Sequence, residues 1–215
     1  MPTVLCFGDS NTHGTLPLTG PGDIRRLGPT IRWPGVLAAA LGPDFRVIEE
    51  GLPGRTTVHA DPIEGAHMNG LAALPMVLAS HSPLDLMTIK LGTNDLKVRH
   101  SVCAADIARS IELLVMTTRQ LCAAPGRTVP KILIIAPPPI EEAGCLAEIF
   151  AGGKAKSLEV GPWLRRSASY LGTGFLDAGE HIRVSPIDGI HYDEAAHATL
   201  GREVAKSLRE LAATA

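Results

Sequence analysis

Aromatic residues are scarce in this sequence: two Trp, two Tyr and four Phe among 215 positions. That scarcity argues against an aromatic-rich binding surface. Charge of one sign is missing too. Lys and Arg total 20, Asp and Glu total 22, and the formal net charge is -2. Such a balance leaves no electrostatic footprint for nucleic acid or for an anionic membrane. A small, uncharged ligand suits it better. No stretch reaches the ~18 apolar residues that a bilayer span requires. Met1–Ser10 has no basic segment and its apolar run ends at Gly8, so no signal peptide is expected. The four cysteines, Cys6, Cys103, Cys122 and Cys145, include no C-x-x-C pair, which removes the main support for zinc-knuckle and thioredoxin-like readings. Scattered thiols in a chain this long read as reduced residues of a cytoplasmic protein.

What is abundant points elsewhere. The length fits one domain, 1–215, able to bury roughly 70% of the surface that its unfolded form exposes. A hydrophobic fraction of 45% excludes general disorder, and 22 Gly with 17 Pro call for many turns. Five short, β-branched-rich runs read as strands: Thr3–Phe7, Phe45–Glu49, Leu84–Leu91, Lys131–Ala136 and Gly174–Asp177. Three are nearly continuous in apolar character, as in parallel strands covered on both faces.

Helical patterns lie between them. Pro34–Leu41 starts on Pro and stops before Gly42. Asp106–Ala123 carries a stripe through Ile107, Ile111, Leu114 and Val115. Glu194–Leu211 has Asp193 as its expected N-cap. Leu71–Ala79 and Ala155–Leu171 give weaker patterns, and Gly161-Pro162 marks a break or a helix start in the latter. Strand–helix alternation of this kind implies right-handed crossovers. The expected fold is α/β: a flavodoxin-like three-layer α/β/α sandwich on a five-stranded parallel sheet of order 2-1-3-4-5. Two loop stretches, Thr12–Arg32 and Ile140–Gly153, are positioned to wall a pocket.

Ligands of such sheets bind outside the carboxyl ends of the strands. The polar residues gather there. Gly8-Asp9-Ser10-Asn11-Thr12 follows the first strand, Gly51-Leu52-Pro53-Gly54-Arg55 the second, Gly92-Thr93-Asn94-Asp95 the third, and Asp188-Gly189-Ile190-His191 lies past the fifth. The topology brings these separate blocks to one edge. A serine hydroxyl needs a base to become a nucleophile. Histidine, with an unperturbed pKa of ~6.5, suits that task, and a carboxylate must orient the imidazole. Asp188 and His191 are three residues apart, so one turn presents both. Candidate oxyanion donors are the N–H of Ser10, the N–H of Gly54 and the Asn94 amide. No G-x-S-x-G elbow is present, which excludes the α/β-hydrolase arrangement.

These blocks resemble the SGNH (GDSL-type) serine hydrolase family. Its four letters match Ser10, Gly54, Asn94 and His191, and its D-x-x-H motif matches Asp188–His191. Within that family the chain is similar to small bacterial arylesterases and acyltransferases, through Cys6–Ser10, Glu49–Leu52, Arg55–Thr57, Leu91–Asp95 and Ala136–Pro139. The resemblance implies an esterase without metal or organic cofactor. Ser10 would be the nucleophile, His191 the base, Asp188 its orienting acid, and Ser10, Gly54 and Asn94 the oxyanion hole. Short-chain acyl esters would be cleaved through an acyl-enzyme, with transfer to alcohols as a further outcome. It also implies a tendency to form homo-oligomers. The subgroup often has Trp just after the nucleophile block, where this chain has His13 and Thr15.

Other readings attach to the same residues. A carbohydrate acetylesterase or a thioesterase would use the same triad. A non-catalytic flavodoxin-like receiver would use Asp9 and Asp95 for magnesium, but it leaves the Ser, Gly, Asn and Asp-x-x-His set unexplained. Asp9 is better read as a loop anchor than as a second acid, and so is Asp95. Arg55 would bind a substrate carboxylate or form a loop salt bridge. His59, His67 and His81 lack ligand spacing for a metal. Pro137–Pro139 is expected to stiffen the cleft wall.

Overall fold

In the computed structural model, residues 1–123 and 128–213 are described. Five strands, β1 Thr3–Gly8, β2 Arg46–Gly51, β3 Leu86–Lys90, β4 Lys131–Ala136 and β5 Gly174–Asp177, pair in parallel in the order β2-β1-β3-β4-β5. The helices are α1 Ser10–His13, α2 Trp33–Leu41, α3 Gly70–His81, α4 Ala104–Cys122, α5 Gly153–Leu171 and α6 Glu194–Ala213. The expected order 2-1-3-4-5 is observed, and strand and helix positions agree with the sequence reading to within a few residues.

Alternation along the strands explains the layering. Successive side chains of a strand point to opposite faces. On β1, Leu5 and Phe7 join Met87 and Ile89 of β3 in a core covered by α3, α4 and α5. The intervening Val4 and Cys6 join Leu133, Ile135 and Trp33 in a second core under α2 and α6. Leu114 of α4 is fully buried, and truncating such a side chain to Ala costs about 2–5 kcal/mol.

The helix ends follow local chemistry. Asp193 Oδ1 accepts from the Ala196 N–H at 2.8 Å and caps α6. The chain leaves α2 at Gly42, whose φ is +90°. Neither the break nor the helix start expected at Gly161-Pro162 occurs, because α5 runs from Gly153 through Pro162. Proline removes one backbone donor, and the acceptor it deprives is the Leu158 carbonyl. Leu158 and Pro162 both lie on the exposed side of α5, where water can serve that carbonyl.

The strand register aligns the carboxyl ends. Gly8 pairs with Gly51 on one side and with Lys90 on the other. The loops that follow β1, β2 and β3 therefore start at one level, and the segment before α6 joins them through bonds described below. Among the described residues, no helix is long and apolar enough to cross a membrane.

Candidate active site

Ser10 is the first residue of α1, immediately after the Asp9 cap. Asp9 Oδ1 accepts from the Asn11 N–H at 3.0 Å, which satisfies one of the first-turn amides of the helix. The one-turn helix packs closely on β2. A Cβ at Gly51 would stand 2.2 Å from the His13 nitrogen, so only glycine permits the approach.

The candidate base, His191, arrives from the segment between β5 and α6. His191 Nε2 lies 3.0 Å from Ser10 Oγ, and His191 Nδ1 lies 2.6 Å from Asp188 Oδ2. The three groups thus form a relay from hydroxyl to imidazole to carboxylate. Asp188 is buried but well supplied with donors. Its Oδ1 accepts from the Ile190 and His191 N–H groups, each at 3.0 Å. Its Oδ2 also accepts from the Leu18 N–H at 2.7 Å. Burial pushes the Asp188 carboxyl up. The His191 hydrogen bond and charge, with the donors from His191 and Leu18, outweigh that and hold it below the ordinary carboxylate value. Asp188 is therefore ionised at neutral pH, as an acceptor for the imidazole N–H must be.

The candidate oxyanion donors face the same space. Gly54 has φ +85°, a conformation that glycine adopts without strain. Among the described residues its N–H has no protein acceptor. Asn94 Nδ2 donates to the Arg55 carbonyl at 3.1 Å, which orients the amide and leaves its second hydrogen for a ligand. Ser10, Gly54, Asn94 and His191 all line a cavity of ≈ 380 Å³.

Both expected loops wall this cavity. Thr12–Arg32 contributes His13, Thr15, Leu18, Asp23 and Ile24, while Ile140–Gly153 contributes Leu146, Ile149 and Phe150. His13 Nδ1 and Thr15 Oγ1 lie 3.1 Å apart. Burial, with Arg26 and Arg32 nearby, pulls His13 down to about 4, so its ring is neutral at neutral pH. Pro137–Pro139 does not line the cavity, contrary to its expected place.

Arg55 fits neither role expected of it. It is buried over the Phe7 ring, 4.3 Å from the centroid, and donates to the Gly8 and Glu50 carbonyls. It ties β1 to β2 and does not face substrate. Asp95 is an anchor as expected: its carboxylate receives the Thr57 N–H and hydroxyl. Burial pushes Asp95 upward against those donors. Among the described residues no cluster of His, Cys, Asp and Glu is arranged to hold a metal ion.

Several residues at or beneath the site carry no local sequence signal. Glu64 and Lys97 form an ion pair on the cavity wall, 2.5 Å apart. Asn11 contacts the His191 segment from 179 to 181 positions away. Lys90 alone had a visible flag, as a charge inside an apolar strand. It is fully buried, 3.4 Å from Asp9 Oδ1 and 5.0 Å from the Tyr192 ring centroid. Burial pushes its ammonium down, but Asp9 and Tyr192 outweigh that and hold it above the usual lysine value.

Comparison with known proteins identifies the family and the fold. The profile of the GDSL-like Lipase/Acylhydrolase family matches residues 6–199. The native aryl esterase of M. smegmatis superposes with a TM-score of 0.93 at 40% identity, covering 98% of this chain and 100% of that one. Est24, a carbohydrate acetylesterase from Sinorhizobium meliloti, superposes with a TM-score of 0.94 at 38% identity, again covering 98% and 100%. A member of the lipolytic protein G-D-S-L family from Veillonella parvula, 14% identical with a TM-score of 0.65, shares the fold and covers 98% and 97%. No match was found among the curated proteins.

Proposed function

The chain belongs to the GDSL-like lipase/acylhydrolase (SGNH) family and is an esterase, and from that premise we propose that Ser10, His191 and Asp188 carry out the ester cleavage through an acyl-enzyme. The observation that carries the proposal is the unbroken relay, 3.0 Å from Ser10 Oγ to His191 Nε2 and 2.6 Å from His191 Nδ1 to Asp188 Oδ2, at a cavity wall.

Ser10 Oγ attacks the ester carbonyl carbon while its proton passes to His191 Nε2. The imidazolium that forms is stabilised by the ionised Asp188. The carbonyl oxygen, now negative, is held by the Ser10 N–H, the Gly54 N–H and the Asn94 amide. The tetrahedral intermediate collapses, His191 returns its proton to the leaving alkoxide, and alcohol or phenol departs. Water then gives a proton to His191 and attacks the acyl-enzyme, releasing the acid and Ser10. An alcohol in place of water completes acyl transfer by the same steps. The whole of 1–215 acts as a single domain. Its four free cysteines support a reducing, cytoplasmic setting.

The substrate is a small, neutral ester with a short acyl group. A cavity of ≈ 380 Å³ is at the small end of ligand sites, and Leu18, Ile24, Leu146, Ile149, Phe150 and Ile190 supply an apolar lining. The likeness to an aryl esterase favours an aryl or small alkyl leaving group. A second reading, deacetylation of a sugar, draws on the likeness to a carbohydrate acetylesterase and on the polar His13, Thr15, Asp23, Glu64 and Lys97 along the same wall.

A panel of p-nitrophenyl esters of increasing acyl length and of acetylated sugars, each in water and with added alcohol, separates these readings. The proposal expects p-nitrophenyl acetate to be turned over faster than long-chain esters. Sugar acetates turned over with much higher kcat/KM than any aryl ester would favour the second reading. New ester formed in added alcohol would establish transfer.

A further inference from the structure

Asn11 follows Ser10 in sequence, and its side chain reaches across to the segment that carries His191. Its Nδ2 donates to the Ile190 carbonyl at 3.1 Å, and its Oδ1 accepts from the Tyr192 N–H at 3.2 Å. These are the backbone groups immediately before and after His191. A carbonyl only accepts and an N–H only donates, so the two partners leave the amide one orientation. The side chain is fully buried.

Ser10 sits on a one-turn helix and His191 sits in a loop, so neither is placed by a long rigid element. Asp188 orients the imidazole within its own segment. It does not set how far that segment stands from Ser10. Ser185 donates to the His191 carbonyl at 2.8 Å, which again is a bond within the loop. Apart from the Ser10–His191 contact itself, the hydrogen bonds that join Asp9–His13 to Ile190–Tyr192 among the described residues are the two made by Asn11.

We propose that Asn11 is a positioning residue: a two-point amide clamp that sets the distance between Ser10 Oγ and His191 Nε2. The proposal rests on the reading of Ser10 as nucleophile and His191 as base. The family's signature, as its name spells it, has Leu at this place. Leu offers neither donor nor acceptor, so the clamp is a property of this chain's Asn rather than of the signature. A reacting group displaced by about 1 Å loses on the order of 10²-fold in rate, which gives the clamp its leverage.

The test compares wild type, Asn11→Leu, Asn11→Asp and Ser10→Ala in steady-state hydrolysis of p-nitrophenyl acetate. It adds the rate of Ser10 sulfonylation by phenylmethylsulfonyl fluoride and the proton NMR signal of the His191 Nδ1–H. In Asn11→Leu, kcat falls roughly 10- to 100-fold while KM stays within about twofold. Sulfonylation slows in parallel. The downfield Nδ1–H signal persists, because the bonds from Ile190, His191 and Leu18 to Asp188 are untouched. Asn11→Asp keeps the volume and the acceptor for Tyr192 but sets a carboxylate against the Ile190 carbonyl. It loses kcat similarly, and it carries the test if the Leu variant does not fold. An unchanged kcat in a folded variant, a loss confined to KM, or disappearance of the Nδ1–H signal along with kcat overturns the clamp. Absent turnover in wild type, or turnover retained in Ser10→Ala, would instead overturn the reading of Ser10 as nucleophile.

Discussion

The Leu18 N–H donates to Asp188 Oδ2 at 2.7 Å, on the same oxygen that receives His191 Nδ1. A loop that walls the cavity is thereby bonded to the carboxylate that holds the His191 ring, the proposed base. Pocket shape and the placement of His191 are linked through one backbone hydrogen bond, 170 residues apart in sequence.

Removing that donor tests the link. Leu18→Pro deletes the N–H, whereas Leu18→Ala keeps it and trims only the wall. Hydrogen bonds to charged groups contribute roughly 1.5–3 kcal/mol. The proline variant is expected to lose about tenfold or more in kcat for p-nitrophenyl acetate, and the alanine variant to change mainly KM. Equal kcat values for the two variants would show that the bond does not serve the base.

Asn94 is the proposed side-chain donor to the oxyanion, and such a donor contributes in the transition state. Asn94→Ala is expected to lower kcat by ~10²-fold with little movement in KM. Steady-state kinetics on folded protein provides the check. A rise in KM alone would move Asn94 to ground-state binding.

Acid stability isolates a different buried group. Burial, with the charges of Lys90, His191 and Arg32, pulls His197 down to about 3, and its Nδ1 accepts from the Trp33 N–H. Above ~6.5 the ring is neutral in folded and unfolded chains alike. As pH falls below that value the unfolded chain takes up a proton that the folded one refuses, so stability drops until about pH 3. The slope reaches at most ~1.4 kcal/mol per pH unit. Asp188 acts in the same direction but only below the ordinary carboxylate range, ~4. His13 adds to the same limb in every variant. His197→Asn keeps an acceptor for Trp33 and cannot titrate, so urea unfolding between pH 6.5 and 4.5 should show a shallower decline. Parallel declines in the two proteins would contradict the assignment.

Much of the fold was legible because parallel strands covered on both faces leave a strong trace. Runs such as Ile132–Ala136 are apolar throughout, and Gly, Pro or Asp residues mark most of their ends. The candidate catalytic set was legible as a spatial cluster for a related reason. Its members are reactive residue types in a family's order, and the topology delivers strand ends to one edge. The residues that hold this set in place were not. Asn11 acts on positions 190 and 192, and Leu18 on 188, through contacts with no local pattern. Arg55 reads as a substrate-binding cation or a loop salt bridge, yet its Nη1 donates to two backbone carbonyls of the sheet. Gly161-Pro162 reads as a break or a helix start because the sequence does not reveal that Leu158, whose carbonyl Pro162 leaves without its helical donor, lies on the exposed side of the helix.

The central claim is that an acyl group passes through Ser10 Oγ. Pre-steady-state release of p-nitrophenol from p-nitrophenyl acetate, followed by mass spectrometry of the quenched protein, measures it directly. Wild type is expected to carry an acetyl group on the peptide containing Ser10, and folded Ser10→Ala to show neither burst nor adduct. A burst of undiminished size in Ser10→Ala, or an acetyl group on another residue in wild type, would contradict the mechanism.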